Sequence, residues 1–317
     1  MKHYISLADS MGLLSICRLR GASRGRLHPV IVWSACRRHW CLLLCFCLLS
    51  SVSHAQDVQD SLALVNADWH WKDLGKGARS GYALVPMFGD RQSISVVKYP
   101  ARKFKTFLVD AQHPQEDIVP VIARRGKAKA AVNASYFDVK RLIPSTYFAL
   151  NGKRVGETYA NELFRANGYV ALKDAKGRQM EIGYTDTMRY SDYPKQYHAL
   201  LVSGPVVLVD GHIPAFPSDR YFTHKRHPRS VVGYDDQGNI YYVVIDGRFP
   251  RQGACGATIP EVACIARYLG MKYALNLDGG GSSTLWTEKE GVINHPYDNR
   301  KFDHEGCRKV PNILMMK

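Results

Sequence analysis

Two aspartates close apolar runs and open glycine turns, Asp246 in "YYVVIDGR" and Asp278 in "YALNLDGGGSSTLW". A carboxylate carried by a Val-, Ile- and Tyr-rich segment to a flexible turn is placed where a ligand can reach it, and a pair of them suits acid, base or nucleophilic work. His227, Arg229 and Arg248 lie close to Asp246 in the chain and add hydrogen-bond donors suited to an anion. Three consecutive glycines are entropically unfavourable in a packed domain, so Gly279, Gly280 and Gly281 mark backbone that needs positive φ or the close approach of another group. The run is not a nucleotide phosphate loop, because "GGGSST" has no lysine. It is not a serine nucleophile elbow either, because Thr284 stands two residues after Ser282 where that motif needs glycine. A tight turn between two strands is the plain alternative.

Elements must bring these groups together. "SVVGYDDQGNIYYVVIDG" reads as a hairpin turning around Asp236 to Asn239, which sets the start of "RSVVGY" beside the end of "YYVVID" and so Arg229 next to Asp246. "TIPEVACIARYLG" reads as a helix: Thr258 and Glu261 have capping-box spacing, Pro260 sits in the first turn, and Gly270 supplies the stop. Its apolar face is Val262, Ile265, Ala266 and Leu269. Strand, helix and strand then make a βαβ unit near the C-terminus, and parallel strands would deliver Asp246 and Asp278 to one edge. Asn133 ends a further apolar run, "KAAVN", and reaches that edge if its strand joins the same sheet. Short Val-, Ile-, Tyr- and Phe-rich runs dominate the rest. The expected fold is α+β, a single domain over 56–317 with a mixed, strand-rich sheet core.

Residues 1–55 read differently. A basic "CRRHW", an apolar "CLLLCFCLLS" too short to span a bilayer, and "SVSHA" make an export signal cleaved after Ala55, which implies a periplasmic or extracellular protein. The long basic region leaves an over-extended start open. Leu44 before Cys45 and Phe46 before Cys47 argue against lipidation. Cleavage would remove five of eight cysteines, leaving Cys255, Cys264 and Cys307, of which Cys255 with Cys307 is the expected bridge because Cys264 falls on the helix. It would also leave 36 Lys/Arg against 27 Asp/Glu, a net +9 that suits anionic envelope polymers or phosphorylated substrates. No helix-turn-helix, zinc finger or basic aromatic stripe points to nucleic acid, and no ligand spacing points to a metal or required cofactor. Calcium bound by carboxylates and carbonyls is left open.

In order along the chain, "AVNASYFD", "SGPVVLVDG", "HPRSVVGYDDQGNIYYVVIDGR", "GATIPEVACIARYLG" and "ALNLDGGGSSTLW" resemble the blocks of the phosphodiester glycosidase family. The likeness runs from about Ala101 to the end, where "VINHP" and "RKVPNILMM" match closing strands. One block departs from the pattern: Ala134 and Ser135 follow Asn133 where the family commonly has two glycines. The resemblance implies a mixed α+β fold and hydrolysis of the bond between a sugar's anomeric carbon and a phosphodiester oxygen. Asp278, then Asp246, would be catalytic. Arg229, Arg248, His227, Asn133 and the run from Asn276 through Gly279, Gly280, Gly281, Ser282 and Ser283 would bind substrate, with the glycine-turn amides as an anion nest. Two readings compete with it: a non-catalytic envelope binder of phosphoglycans, favoured by Ala134 and Ser135, and an aspartic-protease-like hydrolase, for which "IDGR" is a poor second loop.

Overall fold

The computed structural model describes residues 56–110, 117–216 and 218–317, so the expected export signal lies outside the described residues. The fold is α+β and strand-rich. A seven-stranded sheet runs, in spatial order, His70–Gly75, Ala78–Met87, Asp90–Pro100, Asn239–Ile245, Arg229–Tyr234, Tyr273–Asn276 and Val206–Leu208. Every neighbouring pair in it is antiparallel. The Asn239–Ile245 and Tyr273–Asn276 strands therefore run parallel to each other with Arg229–Tyr234 between them, and the Ile259–Tyr268 helix connects them. The expected βαβ unit is present with one strand interposed, and both carboxyl ends reach one edge.

Two cores explain why these strands form. Side chains alternate along a strand, and here both faces are buried: Tyr242 and Val244 enter one cluster, while Tyr241, Val243 and Ile245 enter another with Val262, Ile265 and Ala266 of the helix. The helix starts with the full capping box, Glu261 N to Thr258 Oγ1 at 3.2 Å and Thr258 N to a Glu261 carboxylate oxygen at 2.8 Å. The hairpin turn is fixed by Asp235, whose Oδ1 accepts from the amides of Gln237 and Asn239. The first cluster is shared with two five-stranded sheets, one containing Gly168–Leu172 and Ala199–Ser203, the other Ala130–Asn133, Leu285–Thr287 and Asn312–Met316. Among the described residues no helix is long and apolar enough to cross a membrane.

Three expectations need correction. "ALLVSGPVVLVDG", one of the Val-rich runs that read as a single strand, breaks at Gly204 and Pro205, and its halves, Ala199–Ser203 and Val206–Leu208, enter different sheets. Asn133 ends a strand of another sheet, not the one that carries the aspartates. Cys255, Cys264 and Cys307 are all free thiols. Cys255 sits by Arg91 and Asp90, whereas Cys307 lies against Thr284, so the two belong to different surroundings.

Candidate active site

Strand register decides which of the predicted residues share a face. Arg229 pairs with Ile245, and Val231 pairs with Asn276. Two residues further on, the register brings Arg229 level with Asp278, on the face that the Ile259–Tyr268 helix covers. Asp246 is one residue beyond Arg229's partner and turns to the opposite face. A single-residue offset separates the two aspartates.

On the first face lies a cavity of about 330 Å³ whose lining includes Asp278, Arg229, Arg248, His227, Gly279 and Gly280. Asp278 is partly buried and lines this cavity. Burial pushes its carboxyl up to about 6, against the opposing pull of the Ser282 hydroxyl, the Arg165 and Arg308 guanidiniums and the Gly279 amide.

Arg229 is only 3% exposed. Its Nε donates to Ala257 O at 2.9 Å, and its Nη2 donates to Phe222 O at 2.7 Å and Lys225 O at 3.1 Å. Nη1 takes part in none of these bonds, and no carboxylate among the described residues forms an ion pair with the group. Burial lowers its pKa to about 10. A buried guanidinium lacking a counter-ion at the wall of a cavity is a strong attractor for an anion.

Arg165, which no sequence pattern flagged, also lines the cavity, lying 4.1 Å over the Tyr136 ring and paired with Glu162 at 2.6 Å. Arg248 stands at the mouth in a left-handed conformation, φ 70°, with its guanidinium 4.8 Å over Tyr297. A non-glycine residue held in that region is strained, and such strain concentrates at functional sites. His227 is brought to the same cavity, but not as a cation: burial, then Arg229, Arg248 and Lys225, depress its pKa to about 4. At neutral pH it offers one N–H.

Three amides of the glycine turn are spent within the protein. The amides of Gly280, Ser282 and Ser283 are spent on Pro228 O, Gly279 O and Gly280 O in a tight 3-10 turn. The glycines instead admit neighbours. A Cβ on Gly279 would stand 2.5 Å from Pro228 O, and Gly280, at φ 65°, would place one 3.2 Å from Arg248 Nη2. Gly281 is covered by Arg308, whose Nε donates to Asp298 at 2.8 Å. The run makes room for the Arg248 and Arg308 guanidiniums beside the turn that follows Asp278.

Other predicted residues lie outside the cavity lining. Asn133 donates to Asp278 O at 2.7 Å and accepts from Ser230 Oγ at 2.7 Å and Thr284 N at 3.1 Å, so it ties the two sheets beneath the site. Asn276 donates to Tyr136 Oη at 3.0 Å and Gly204 O at 2.8 Å. Ser282 and Ser283 are buried. Asp246 accepts from Ser93 Oγ at 2.7 Å, Asn294 Nδ2 at 2.9 Å, His295 N at 2.9 Å and His295 Nδ1 at 3.0 Å, which fills its acceptor capacity. Among the described residues no group of three or more His, Cys, Asp or Glu is arranged to hold a metal ion. Tyr136, Phe164, Tyr221, Phe222 and Pro228 complete the wall, with Asp219, the N-cap of the Arg220–His224 helix, as its second carboxylate. Tyr221 and Phe222 belong to the short Arg220–His224 helix, and Tyr136 and Phe164 to irregular segments, so none is carried by a periodic pattern.

A sheet-edge cavity with one raised carboxyl among arginines, on this α+β framework, goes with a family match. The model of the phosphodiester glycosidase family covers residues 126–317, and the chain belongs to that family. Among solved structures, the catalytic domain of zebrafish N-acetylglucosamine-1-phosphodiester alpha-N-acetylglucosaminidase is similar, with a TM-score of 0.58 and 17% identity over 78% of this chain and 87% of that one. A hypothetical protein from Synechocystis gives a TM-score of 0.59 at 15% identity over 78% of this chain. The chain spans 63% of that Synechocystis protein. At these identities the likeness is one of fold. No curated protein sequence matches the chain.

Proposed function

We propose that the protein is an exported hydrolase that cleaves the bond between a sugar's anomeric carbon and a phosphodiester oxygen, releasing the sugar and a phosphomonoester. The observation that carries this reading is Asp278 in one cavity with Arg229, a buried guanidinium that has no acid of its own. The leaving phosphomonoester has a second pKa near 6 and needs little protonation, so cationic donors matter more than a strong acid. Arg229 through Nη1, with Arg248 at the mouth, holds the phosphate as the C1–O bond breaks and its electron pair goes to the phosphate oxygen. Asp278, ionised above about pH 6, faces the positive charge that develops at the anomeric carbon.

The test is release of phosphomonoester from a panel of sugar-1-phosphodiesters by residues 56–317, with Asp278→Asn as control. No release from any member by the unaltered protein sinks the reading. The competing reading, a phosphoglycan binder without turnover, drew on Ala134 and Ser135. Neither residue lines the cavity: Ala134 supports it from behind, its O accepting from Asp278 N, and Ser135 exchanges hydrogen bonds with Asn312. Their departure from the family pattern leaves the chemistry of the cavity intact.

Export with cleavage after Ala55, giving one domain over 56–317, fits the same reading. The helix of residues 56–65 docks on the domain, with Asp57 paired to Arg267 at 2.7 Å and Asp60 accepting from Phe88 N at 2.9 Å. N-terminal sequencing of exported material should begin at Gln56.

A further inference from the structure

The cavity floor is charged, and its mouth adds apolar surface beside Arg248, Lys225 and Asp219. Phe164 and Tyr221 line the mouth at 45% and 65% exposure, and Leu163, the preceding residue, is 48% exposed. Phe164 stands edge-on to Phe222 at 5.8 Å, and Tyr221 leans on His227 at 5.3 Å with Lys225 Nζ 4.7 Å over its ring. The two aromatics come from separate elements, the turn after the Ala160–Glu162 3-10 helix and the Arg220–His224 helix. Tertiary packing therefore assembles this apolar surface at the mouth, continuous with the floor through Phe222 and His227. Exposed apolar residues scattered singly mean little, but a group of them against a polar cavity marks a binding surface.

A sugar hydroxyl or a phosphate gains nothing from Leu163 or Phe164, whose side chains hold no polar atom. Hydrocarbon does. On the reading of the floor as a phosphate site, the geometry points to a substrate whose second ester arm is apolar: a sugar-1-phosphate diester of a long-chain alcohol. Its phosphate meets Arg229 and Arg248, and its alkyl arm lies over Phe164 and Tyr221. An aromatic ring can also stack on a sugar's C–H face, so the test must separate the two uses of the rim.

Calorimetric titration with methyl phosphate and octyl phosphate, below the micellar concentration of the latter, requires no turnover. Octyl phosphate should bind at least roughly tenfold tighter than methyl phosphate, the effect of burying a few methylenes. Phe164→Ser and Tyr221→Ser, both at exposed positions, should each reduce that ratio toward one while methyl phosphate affinity stays the same and melting temperature is unchanged. Equal affinity for the two probes in the unaltered protein overturns the proposal. So does a chain-length preference that survives both substitutions, or an equal weakening of both probes, which would make the rim part of the sugar-phosphate floor. If octyl phosphate binds through the rim while methyl phosphate and inorganic phosphate do not bind at all, the floor reading fails and the apolar rim stands.

Discussion

On one face of the seven-stranded sheet, Asp246 is 1% exposed and receives four hydrogen bonds, two of them from His295. On the other, Asp278 faces an open cavity with Arg229 level with it and Arg165 in the same wall. Both aspartates follow strands that run the same way, and both precede glycine. Their difference comes from parity: the register that pairs Arg229 with Ile245 leaves Asp246 one position out and turned away. Asp246 thereby fastens Asn294 and His295, the start of the segment that returns with Asp298 and Arg308 over Gly281. One carboxylate is bound up within the fold, and the other is left facing the cavity.

Substitutions can break this contrast. The largest effect is expected from Asp278→Asn, which should lower turnover of a sugar phosphodiester by roughly a thousandfold or more with binding retained, because the amide keeps shape without charge. Unchanged turnover would remove Asp278 from the chemistry. Asp246→Ala should act on stability, lowering it by about 3 to 5 kcal/mol by leaving buried partners unpaired, as read by denaturant melts. A fully stable, inactive Asp246 variant would reverse the roles of the two aspartates. Arg229→Lys and Arg248→Ala should each raise the barrier by about 2 to 4 kcal/mol in kcat/KM, the scale of losing one aimed donor. Arg248 is exposed, so its removal should leave the melting temperature unchanged; wild-type kcat/KM in either variant would take that arginine out of the phosphate clamp.

Much of the fold is legible in the sequence. The helix with its capping box, the hairpin and the shared edge follow from local signals: spacing of Thr258 and Glu261, the turn at Asp236, and uninterrupted β-branched runs. The parity of Asp246 was within reach too, since it needs only the hairpin register and a period of two. What local patterns could not supply is anything set by packing between distant segments. Arg165 lies in "NELFRANG", which has no periodic pattern, and is held at the cavity by Glu162 and the Tyr136 ring. The amides of the turn look like an anion nest in isolation, yet the fold directs those of Gly280, Ser282 and Ser283 to Pro228 and to the turn itself. Likewise the pairing of Cys255 with Cys307 rested on arithmetic, and the fold gives each its own surroundings.

The smallest expected effect concerns pH and sharpens the assignment of Asp278. Its carboxyl stands at about 6 in the fold against 3.8 in the unfolded chain, raised chiefly by burial. Below pH 4 both states are protonated and the group contributes nothing to stability. As pH rises from 4 toward 6 the unfolded chain ionises first, so stability falls, and above 6 the loss levels off at about 3 kcal/mol or less, since the cavity admits some solvent. Asp278→Asn removes this loss, so the variant should be the more stable protein at pH 7 to 8 and no more stable than the parent at pH 3.5. His227 acts in an overlapping window with the opposite sign: its pKa of about 4 in the fold means that stability is lost as pH falls from 6.5 toward 4. It is present in both proteins and cancels in their difference. Paired thermal melts from pH 3.5 to 8 measure that difference, and kcat/KM of the parent should rise over the same interval, with a midpoint near 6. A variant less stable than the parent at neutral pH would mean that Asp278 holds the glycine turn together, and the raised carboxyl would lose its place in the mechanism.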